Sequence, residues 1–292
     1  MRIILFGKNG QVGWELEQLL PKLGSVSAYG KEELDVSNLH ELEVKILDYN
    51  PDLIINASAY TDVDRAEEEP QKAMRVNAEA PGVMADAARK IHAAFIHYST
   101  DYVFDGDHKN PYNESEAANP LNVYGSSKLA GEKNIGQAGS AYLILRTSWV
   151  YSMRGNTFVN KVLAWARNNE VLQIVDDQVG SPTWARSLAQ TTFELVSSNK
   201  EKLQNVMKEK SGIYHMAGNG YTSRFNWAKQ IIANASHRTD LLARAIEPVS
   251  SKTFPMPAAR PLFTALDCSK LENTFLLRLP NWQDSLKEAM KK

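Results

Sequence analysis

The stretch "RIILFGKNGQVG" (2–13) runs from a short apolar segment into a turn with three glycines, Gly7, Gly10 and Gly13. A segment with helical spacing follows at 11–20. Glycines in such a turn let backbone N–H groups approach a pyrophosphate, and the helix N-terminus adds a partial positive charge. The spacing is GxxGxxG rather than GxGxxG, and a plain structural turn is the alternative. The position between a first strand and a first helix nevertheless predicts a dinucleotide-binding unit.

Short apolar runs alternate with helix-length segments through the first half of the chain. The runs lie at 2–6, 26–29, 53–56, 94–98 and 142–146, and the helical segments lie at 11–20, 38–48, 70–90 and 122–136. This alternation predicts βαβ units, in which a parallel sheet has helices on both faces. The predicted fold class is therefore α/β, with a Rossmann-like doubly wound parallel sheet.

The pattern loosens after about residue 150. Further strands are predicted in "LQIVDD" (172–177) and "GIYHMAG" (212–218), and a Pro-rich stretch at 252–261 reads as an ordered loop. We therefore expect a dinucleotide-binding domain at 1–150, with returning segments from about 171–218. A second, smaller and mostly helical substrate lobe is expected to combine about 151–170 with 219–292.

The composition of the chain gives no support to several kinds of partner and site. The 292 residues carry 33 Lys and Arg against 34 Asp and Glu, and this balance makes no case for nucleic acid or a membrane surface as partner. The single cysteine, Cys268, cannot form an internal disulfide, and no apolar stretch approaches a membrane span. The six histidines lack metal-ligand spacing. We expect a cytoplasmic protein with no metal.

The end of the second predicted strand bears on the choice of cofactor. An acidic residue there would bind the ribose 2′-hydroxyl and repel a 2′-phosphate. The chain has Tyr29, Gly30 and Lys31 at this point, so NADPH as well as NADH is expected to bind, although Lys31 can also be a solvated surface charge. Asp35 is either an adenine contact or a helix cap or turn former.

The segment "NVYGSSKLAGE" (122–132) places Tyr124 and Lys128 four residues apart. This spacing puts both side chains on one face of a helix. A free tyrosine has a pKa near 10, and a neighbouring ammonium favours the phenolate. The pair is therefore suited to general acid–base chemistry on a hydroxyl or a carbonyl. The alternative is a surface Tyr and Lys on an ordinary amphipathic helix.

A second polar segment, "YSTDYVFDG" (98–106), stands at the end of a predicted strand. Ligands gather outside the carboxyl ends of the strands in an open parallel sheet. Thr100 is thus placed to hydrogen-bond a substrate oxygen near Tyr124, unless it only caps a turn.

These motifs, with "INASAYT" (55–61) and "RTSWVY" (146–151), resemble the extended short-chain dehydrogenase/reductases over essentially the full length. The resemblance implies that Tyr124 is the proton donor, that Lys128 tunes it and binds the nicotinamide ribose, and that Thr100 completes the triad. It implies cofactor contacts from a longer set: Gly7, Gly10, Gln11, Val12, Gly13, Asp35, Val36, Ala57, Ser58, Ala59 and Tyr60.

The resemblance also implies a substrate site. Thr100, Asp101 and Trp149 match family positions that contact a sugar nucleotide, although Trp149 can instead be core. Arg260 is hypothesised to hold the diphosphate through its planar fork, and an exposed salt bridge is the alternative. Some family members bridge a homodimer through magnesium. Glu15 matches one such position but Arg186 replaces another, so a metal bridge is not expected here and a homodimer is left open.

The family contains dehydratases and epimerases as well as reductases, so the fold leaves the reaction open. The run Thr100-Asp101-Tyr102 lacks the second carboxylate of the dehydratases. The resemblance implies NAD(P)H-dependent reduction of the C4 ketone of dTDP-4-dehydro-L-rhamnose to dTDP-L-rhamnose, a precursor of surface polysaccharide. Two alternatives stay open: reduction of a related dTDP-4-keto-6-deoxy sugar, and a non-catalytic dinucleotide-binding subunit similar to the regulatory subunit of methionine adenosyltransferase.

Overall fold

The structure, a computed structural model, describes residues 1–291. Its strands in chain order are β1 (Arg2–Phe6), β2 (Ser25–Tyr29), β3 (Leu53–Asn56), β4 (Ala94–Thr100), β5 (Ala141–Thr147), β6 (Val150–Tyr151), β7 (Val171–Val175), β8 (Val179–Gly180), β9 (Thr183–Trp184), β10 (Gly212–His215), β11 (Thr222–Ser223) and β12 (Ala245–Val249). Its α-helices are α1 (Gln11–Leu19), α2 (Leu39–Tyr49), α3 (Val63–Glu68), α4 (Pro70–Met74), α5 (Ala80–Lys90), α6 (Val123–Ala138), α7 (Phe158–Asn168), α8 (Ala185–Ser198), α9 (Leu203–Glu209), α10 (Arg224–Asn234), α11 (Ser269–Phe275) and α12 (Trp282–Ala289).

A six-stranded parallel sheet forms the centre of the first lobe, with strand order β10-β5-β4-β3-β1-β2. The chain passes from β1 to β2 on one side and then returns to β3 on the other. This reversal opens a crevice at the carboxyl ends of β1 and β3, where ligands bind in doubly wound sheets. The predicted fold class is confirmed.

Helices cover both faces of this sheet. Leu16 of α1 and Leu188 of α8 pack on one face, whereas Ile46 of α2 and Met84 of α5 pack on the other. Residues 3–6 of β1 are fully buried, as expected for a strand covered on both sides. Each such large apolar side chain contributes about 1.5–3 kcal/mol through burial.

The second lobe has its own core between α7, α10, α12 and the parallel pair of β7 with β12. Its buried side chains include Val162, Leu172, Ile174, Trp227 and Leu286. The lobe is mostly helical, as the sequence indicates.

The lobe boundary differs from the predicted one at two places. The returning segment was expected from about residue 171, but β7 pairs with β12 and packs Leu172 and Ile174 into the core of the second lobe. The chain returns to the first lobe with α8, whose Leu188 packs beside Leu16. Conversely, Leu271 and Leu279 lie in the predicted second lobe but pack into the first core.

The helical segment predicted at 70–90 is interrupted by a π-helical turn at Arg75–Glu79 between α4 and α5. Such turns occur often at functional sites, and this one carries the buried Asn77. Within residues 1–291, no helix combines the length and the apolar character needed to cross a membrane.

Candidate active site

The glycine turn lies at the crevice between β1 and β3. Gly7 has a φ of +87°, and a Cβ on it would stand 2.6 Å from the backbone of Ala57 and Ser58. A Cβ on Gly13 would stand 2.0 Å from the Gly7 oxygen. These two glycines are required by the fold, because the turn, the first helix and the end of β3 meet there without room for a side chain.

Gly10 differs from its two neighbours. A Cβ there would meet only the Gly7 oxygen at 3.3 Å and the Ala57 oxygen at 3.9 Å, so the protein itself scarcely fills this space. Gly10 is also the N-cap of α1 and provides no side-chain cap for the first N–H groups of the helix. The buried Oε1 of Gln11 has no hydrogen-bond partner within residues 1–291.

These features fit a dinucleotide pyrophosphate. The uncapped N–H groups at the start of α1 are donors that an anion would satisfy, and the space above Gly10 admits it. Val12, by contrast, packs partly against the first core. The Gly10 N–H already donates to the Gly7 oxygen at 3.0 Å, so the free donors are the first backbone N–H groups of α1, whereas the Val12 side chain serves packing.

The segment after β3 lies beside the turn, since the Ala57 N–H donates to the Phe6 oxygen at 3.0 Å. Ala57, Ser58, Ala59 and Tyr60 are all partly exposed. Asn77, which the sequence analysis did not single out, fixes this segment: its side chain bonds the N–H and the carbonyl of Tyr60 at 2.8 and 3.0 Å and donates to Ser127 Oγ at 3.0 Å. Asn77 thus joins the predicted cofactor segment to the helix that carries Tyr124.

The far end of the predicted cofactor site has a carboxylate that sequence spacing did not reveal. Glu33 folds back so that its Oε2 accepts from the Gly30 N–H at 2.7 Å, and its Oε1 pairs with Lys8 Nζ at 2.5 Å. An acidic group therefore does stand at the end of β2, with its charge offset by Lys8. Asp35 accepts from the Ser37 N–H at 2.9 Å and so forms a turn, and Val36 is buried in the core.

Tyr124 lies in the first turn of α6. Asn122 caps this helix by accepting from the Gly125 N–H at 2.8 Å, and its Nδ2 donates to the Ala259 oxygen at 2.7 Å. A Cβ on Gly125 would stand 2.2 Å from the Tyr102 oxygen. The glycine therefore lets the helix approach the end of β4, which brings Tyr124 to Thr100.

The Tyr124 phenol is held protonated. Burial raises its pKa well above 10, a hydrogen bond with Thr100 lowers it, and the charges of Asp101 and Tyr102 raise it further. Lys128 is not among the groups that act on it, so the expected lowering by the ammonium is not seen in this structure. The Tyr102 ring packs edge-to-face against Tyr124 with centroids 5.7 Å apart.

Lys128 lies one helical turn further and is 1% exposed. Its Nζ donates to the Tyr98 oxygen at 2.7 Å and lies 3.0 Å from Nε2 of His97. Burial lowers the pKa of Lys128 to about 8, against an opposing effect of Glu132. Close to neutral pH, the ammonium of Lys128 is thus more readily deprotonated than that of an exposed lysine.

His97 is a fully buried core histidine that also contacts the predicted triad. The Ser58 N–H and hydroxyl both donate to Asn56 Oδ1, at 3.0 and 2.6 Å, so Asn56 presents its Nδ2 to Nδ1 of His97 at 3.0 Å. Burial lowers the pKa of His97 well below 6.5. The neutral ring accepts at Nδ1 and carries its proton on Nε2, facing Lys128.

Asp101 is buried, and its carboxylate accepts hydrogen bonds from three hydroxyl groups. Its Oδ2 accepts from Thr264 at 2.6 Å and Ser148 at 2.7 Å, and its Oδ1 accepts from the Thr100 hydroxyl at 3.2 Å. Burial raises its pKa, and the three hydroxyls oppose that effect. Asp101 was predicted as a substrate contact; in this structure its carboxylate orients Thr100.

A buried ion pair lies beneath the triad. Arg146 binds Glu132 through two bonds of 2.9 and 2.6 Å, and Ser99 donates to Glu132 Oε1 at 2.5 Å. Glu132 belongs to α6 and Arg146 to β5, so the pair joins the helix that carries Tyr124 to the sheet.

Trp149 connects the two lobes. Its φ of +44° is rare for a bulky residue and stores backbone strain, a feature that clusters at functional sites. The ring stacks on Trp227 with centroids 5.6 Å apart, and the guanidinium of Arg224 lies 3.6 Å from its centroid. Trp149 is therefore both a partly exposed site residue and a packing residue.

Arg260 forms an ion pair with a carboxylate. It forms a bidentate pair with Asp64 at 3.0 and 2.6 Å, and it donates to the Ala258 oxygen at 3.0 Å. The salt bridge weighed as the alternative for Arg260 is thus present, although it is partly buried. Glu15 similarly pairs with Arg186 at 3.1 Å. No cluster of three potential metal ligands occurs within residues 1–291.

Comparison with known proteins identifies the family. The model of the RmlD substrate binding domain matches residues 1–292. The chain belongs to this family. It is 40% identical over 287 residues to the dTDP-4-dehydrorhamnose reductase of Burkholderia thailandensis, with 97% of this chain and 96% of that protein covered. It is 39% identical over 295 residues to the enzyme of the same name from Escherichia coli K12, with 99% and 97% covered.

A solved structure agrees with these relatives. The dTDP-4-dehydrorhamnose reductase of Bacillus anthracis in complex with NADP is 34% identical, has a TM-score of 0.88, and covers 98% of this chain and 97% of its own. The resemblance that the motifs indicated is confirmed by these full-length matches.

Proposed function

We propose that this chain reduces the C4 ketone of dTDP-4-dehydro-L-rhamnose to the C4 hydroxyl of dTDP-L-rhamnose, with NADPH or NADH as cofactor. One observation carries the proposal: Tyr124, whose phenol burial keeps protonated, lies beside Thr100 at the edge of the sheet where the glycine turn offers a dinucleotide site. The names of the relatives agree with this assignment. The bound NAD(P)H supplies a hydride.

The triad residues supply the proton. Reduction of a ketone develops negative charge on its oxygen, and that oxygen must receive a proton. Tyr124 holds a proton at Oη because burial disfavours its phenolate. Asp101 orients the Thr100 hydroxyl, which lies within hydrogen-bonding range of the phenol. Because the Thr100 hydroxyl donates to Asp101, Tyr124 is the group that can give a proton to the substrate oxygen.

Lys128 is the positive group beneath the pair. We assign it to the ribose of the cofactor and to the stabilisation of the phenolate that Tyr124 becomes after it gives up its proton. A positive charge that is desolvated by burial is a stronger electrostatic partner than one in water.

A reductase accounts for the site better than a dehydratase. Dehydration would need a second carboxylate after Asp101, and Tyr102 occupies that position with its ring against Tyr124. The complete triad also favours an enzyme over a purely regulatory dinucleotide-binding subunit, since such a subunit has no need of a protonated phenol beside Thr100.

The experiment measures the loss of NADPH and NADH absorbance with dTDP-4-dehydro-L-rhamnose and with a dTDP-4-keto-6-deoxy sugar of different stereochemistry. Tyr124→Phe is compared with Tyr49→Phe, a change on α2 whose hydroxyl contacts only Ser25. We expect Tyr124→Phe to lower kcat about 10²–10⁴-fold, the usual contribution of a general acid. Equal activity of the two variants, or turnover of only the other sugar, would overturn the proposal.

A further inference from the structure

Arg224, the first residue of α10, has an unusual environment. Its guanidinium lies 3.6 Å from the ring centroid of Trp149, 4.9 Å from that of Phe158 and 5.6 Å from that of Trp227. Within the part of the chain that the structure describes, its side chain forms no ion pair and no hydrogen bond with protein. Arg224 is therefore a partly exposed cation that lies against aromatic rings without a protein counterion.

The charged groups around Arg224 do not neutralise it. Asp101, the carboxylate whose charge acts on Arg224, already accepts bonds from three hydroxyls, and Arg260 is paired with Asp64. Burial among the rings lowers the pKa of Arg224 to about 10, with Asp101 and Tyr102 opposing this effect and Arg260 adding to it. The guanidinium therefore stays charged at neutral pH.

Stacking leaves the edge of the guanidinium free. An arginine that lies flat on an aromatic ring keeps its N–H donors in the plane, and those donors match phosphate oxygens in a bidentate manner. Trp149, on which Arg224 stacks, follows β5 at the same edge of the sheet as Thr100.

We infer that Arg224 binds the diphosphate of the sugar nucleotide, the role that the sequence suggested for Arg260. The inference rests on the proposed function, because it requires a nucleotide diphosphate in the crevice between the lobes. In this arrangement, Arg224 of the second lobe binds the diphosphate of the substrate, whereas the triad of the first lobe contacts its ketone.

A purely structural role is the competing explanation. In that case Arg224 would only clamp the aromatic cluster, and its loss would loosen the second lobe without removing a charge contact. The dependence of affinity on salt separates the two, since an ionic contact to phosphate weakens as salt rises whereas ring packing does not.

The test is titration of the whole chain with dTDP by calorimetry at several salt concentrations. Arg224→Gln is compared with Arg244→Gln, an exposed arginine of the same lobe, and the affinity for NADPH of each variant reports whether the first lobe is intact. We expect Arg224→Gln to weaken dTDP binding about 10- to 100-fold, the effect of losing a hydrogen bond to a charged group, and to flatten the salt dependence. Arg244→Gln should match the unmodified chain.

Several outcomes would overturn the inference. If Arg224→Gln binds dTDP as tightly as the unmodified chain, or more weakly but with an unchanged salt dependence, the diphosphate contact is wrong while the proposed function stands. If Arg224→Gln also loses its affinity for NADPH, the titration is repeated with Arg224→Lys. The affinity of Arg224→Lys for dTDP should depend on salt as in the unmodified chain, because lysine keeps the positive charge. If the unmodified chain neither binds dTDP nor turns over the keto sugar, the proposed function fails too.

Discussion

Nζ of Lys128 lies 3.0 Å from Nε2 of His97, so a buried imidazole is the immediate side-chain neighbour of the predicted catalytic lysine. The chain of bonds from Ser58 through Asn56 directs the imidazole proton toward Lys128. An N–H donor facing Nζ opposes the ammonium form, because both groups are then donors. Burial lowers the pKa of Lys128, and we predict that the facing imidazole N–H of His97 acts in the same direction.

This contact predicts a pH dependence. The pKa of Lys128 is lowered to about 8, so its charge is present below that pH and is lost as the pH rises through it. If the ammonium stabilises the phenolate of Tyr124, kcat/KM should fall above about pH 8. His97→Gln can present an oxygen to Nζ, which favours the charged form and should move this fall to higher pH by about one unit.

The measurement is the pH profile of kcat/KM for the unmodified chain, His97→Gln and the exposed control His237→Gln. The control should keep the original profile. A fall at the same pH in all three proteins would contradict the tuning of Lys128 by His97, and a profile without any fall near pH 8 would contradict the role of the ammonium itself.

The residues at strand ends were predictable from the sequence for a geometric reason. Consecutive parallel strands end at one edge of the sheet, so Gly7, Ala57, Thr100 and Trp149 converge once the strands are located. The helix that begins after Asn122 carries Tyr124, which forms the side of the site opposite these strand ends. The fold class and the core of the site follow from these local patterns.

Partners that depend on packing could not be predicted in this way. His97 contacts Lys128 because α6 covers the face of β4 to which His97 points, and the sequence does not state which helix covers which face. Asn77 enters the site through the π-helical turn. Arg224 lies over Trp149 because α10 packs its Trp227 against Trp149, a contact between residues far apart in sequence. The cavity of about 420 Å³ beside Asn110 and Tyr221 contains none of the predicted catalytic residues.

The buried pair of Glu132 and Arg146 predicts a large loss of stability on removal of one partner. Glu132→Gln would leave the Arg146 charge uncompensated at a site where both side chains are less than 5% exposed. Such a loss costs about 3–5 kcal/mol, whereas an exposed pair contributes at most about 1 kcal/mol. Urea unfolding of Glu132→Gln and of Glu79→Gln, whose exposed partner Arg75 lies in the same π-helical turn, measures the difference. A similar urea midpoint of unfolding for both variants would show that the buried pair contributes no more to stability than the exposed pair.

Glu33 predicts the cofactor preference. Its carboxylate stands at the end of β2 and is bound by Lys8 and the Gly30 N–H, which together hold its pKa below 4.5 and keep it charged at neutral pH. A negative group at this position opposes a 2′-phosphate and accepts a bond from a 2′-hydroxyl. Glu33→Gln should therefore raise the affinity for NADPH relative to NADH by about 2- to 5-fold, a modest effect because water and salt screen an exposed charge. Binding titrations of both cofactors to Glu33→Gln and to the adjacent exposed control Glu32→Gln test this. An unchanged ratio in Glu33→Gln, or the same change in the control, would show that the cofactor preference is set by other groups.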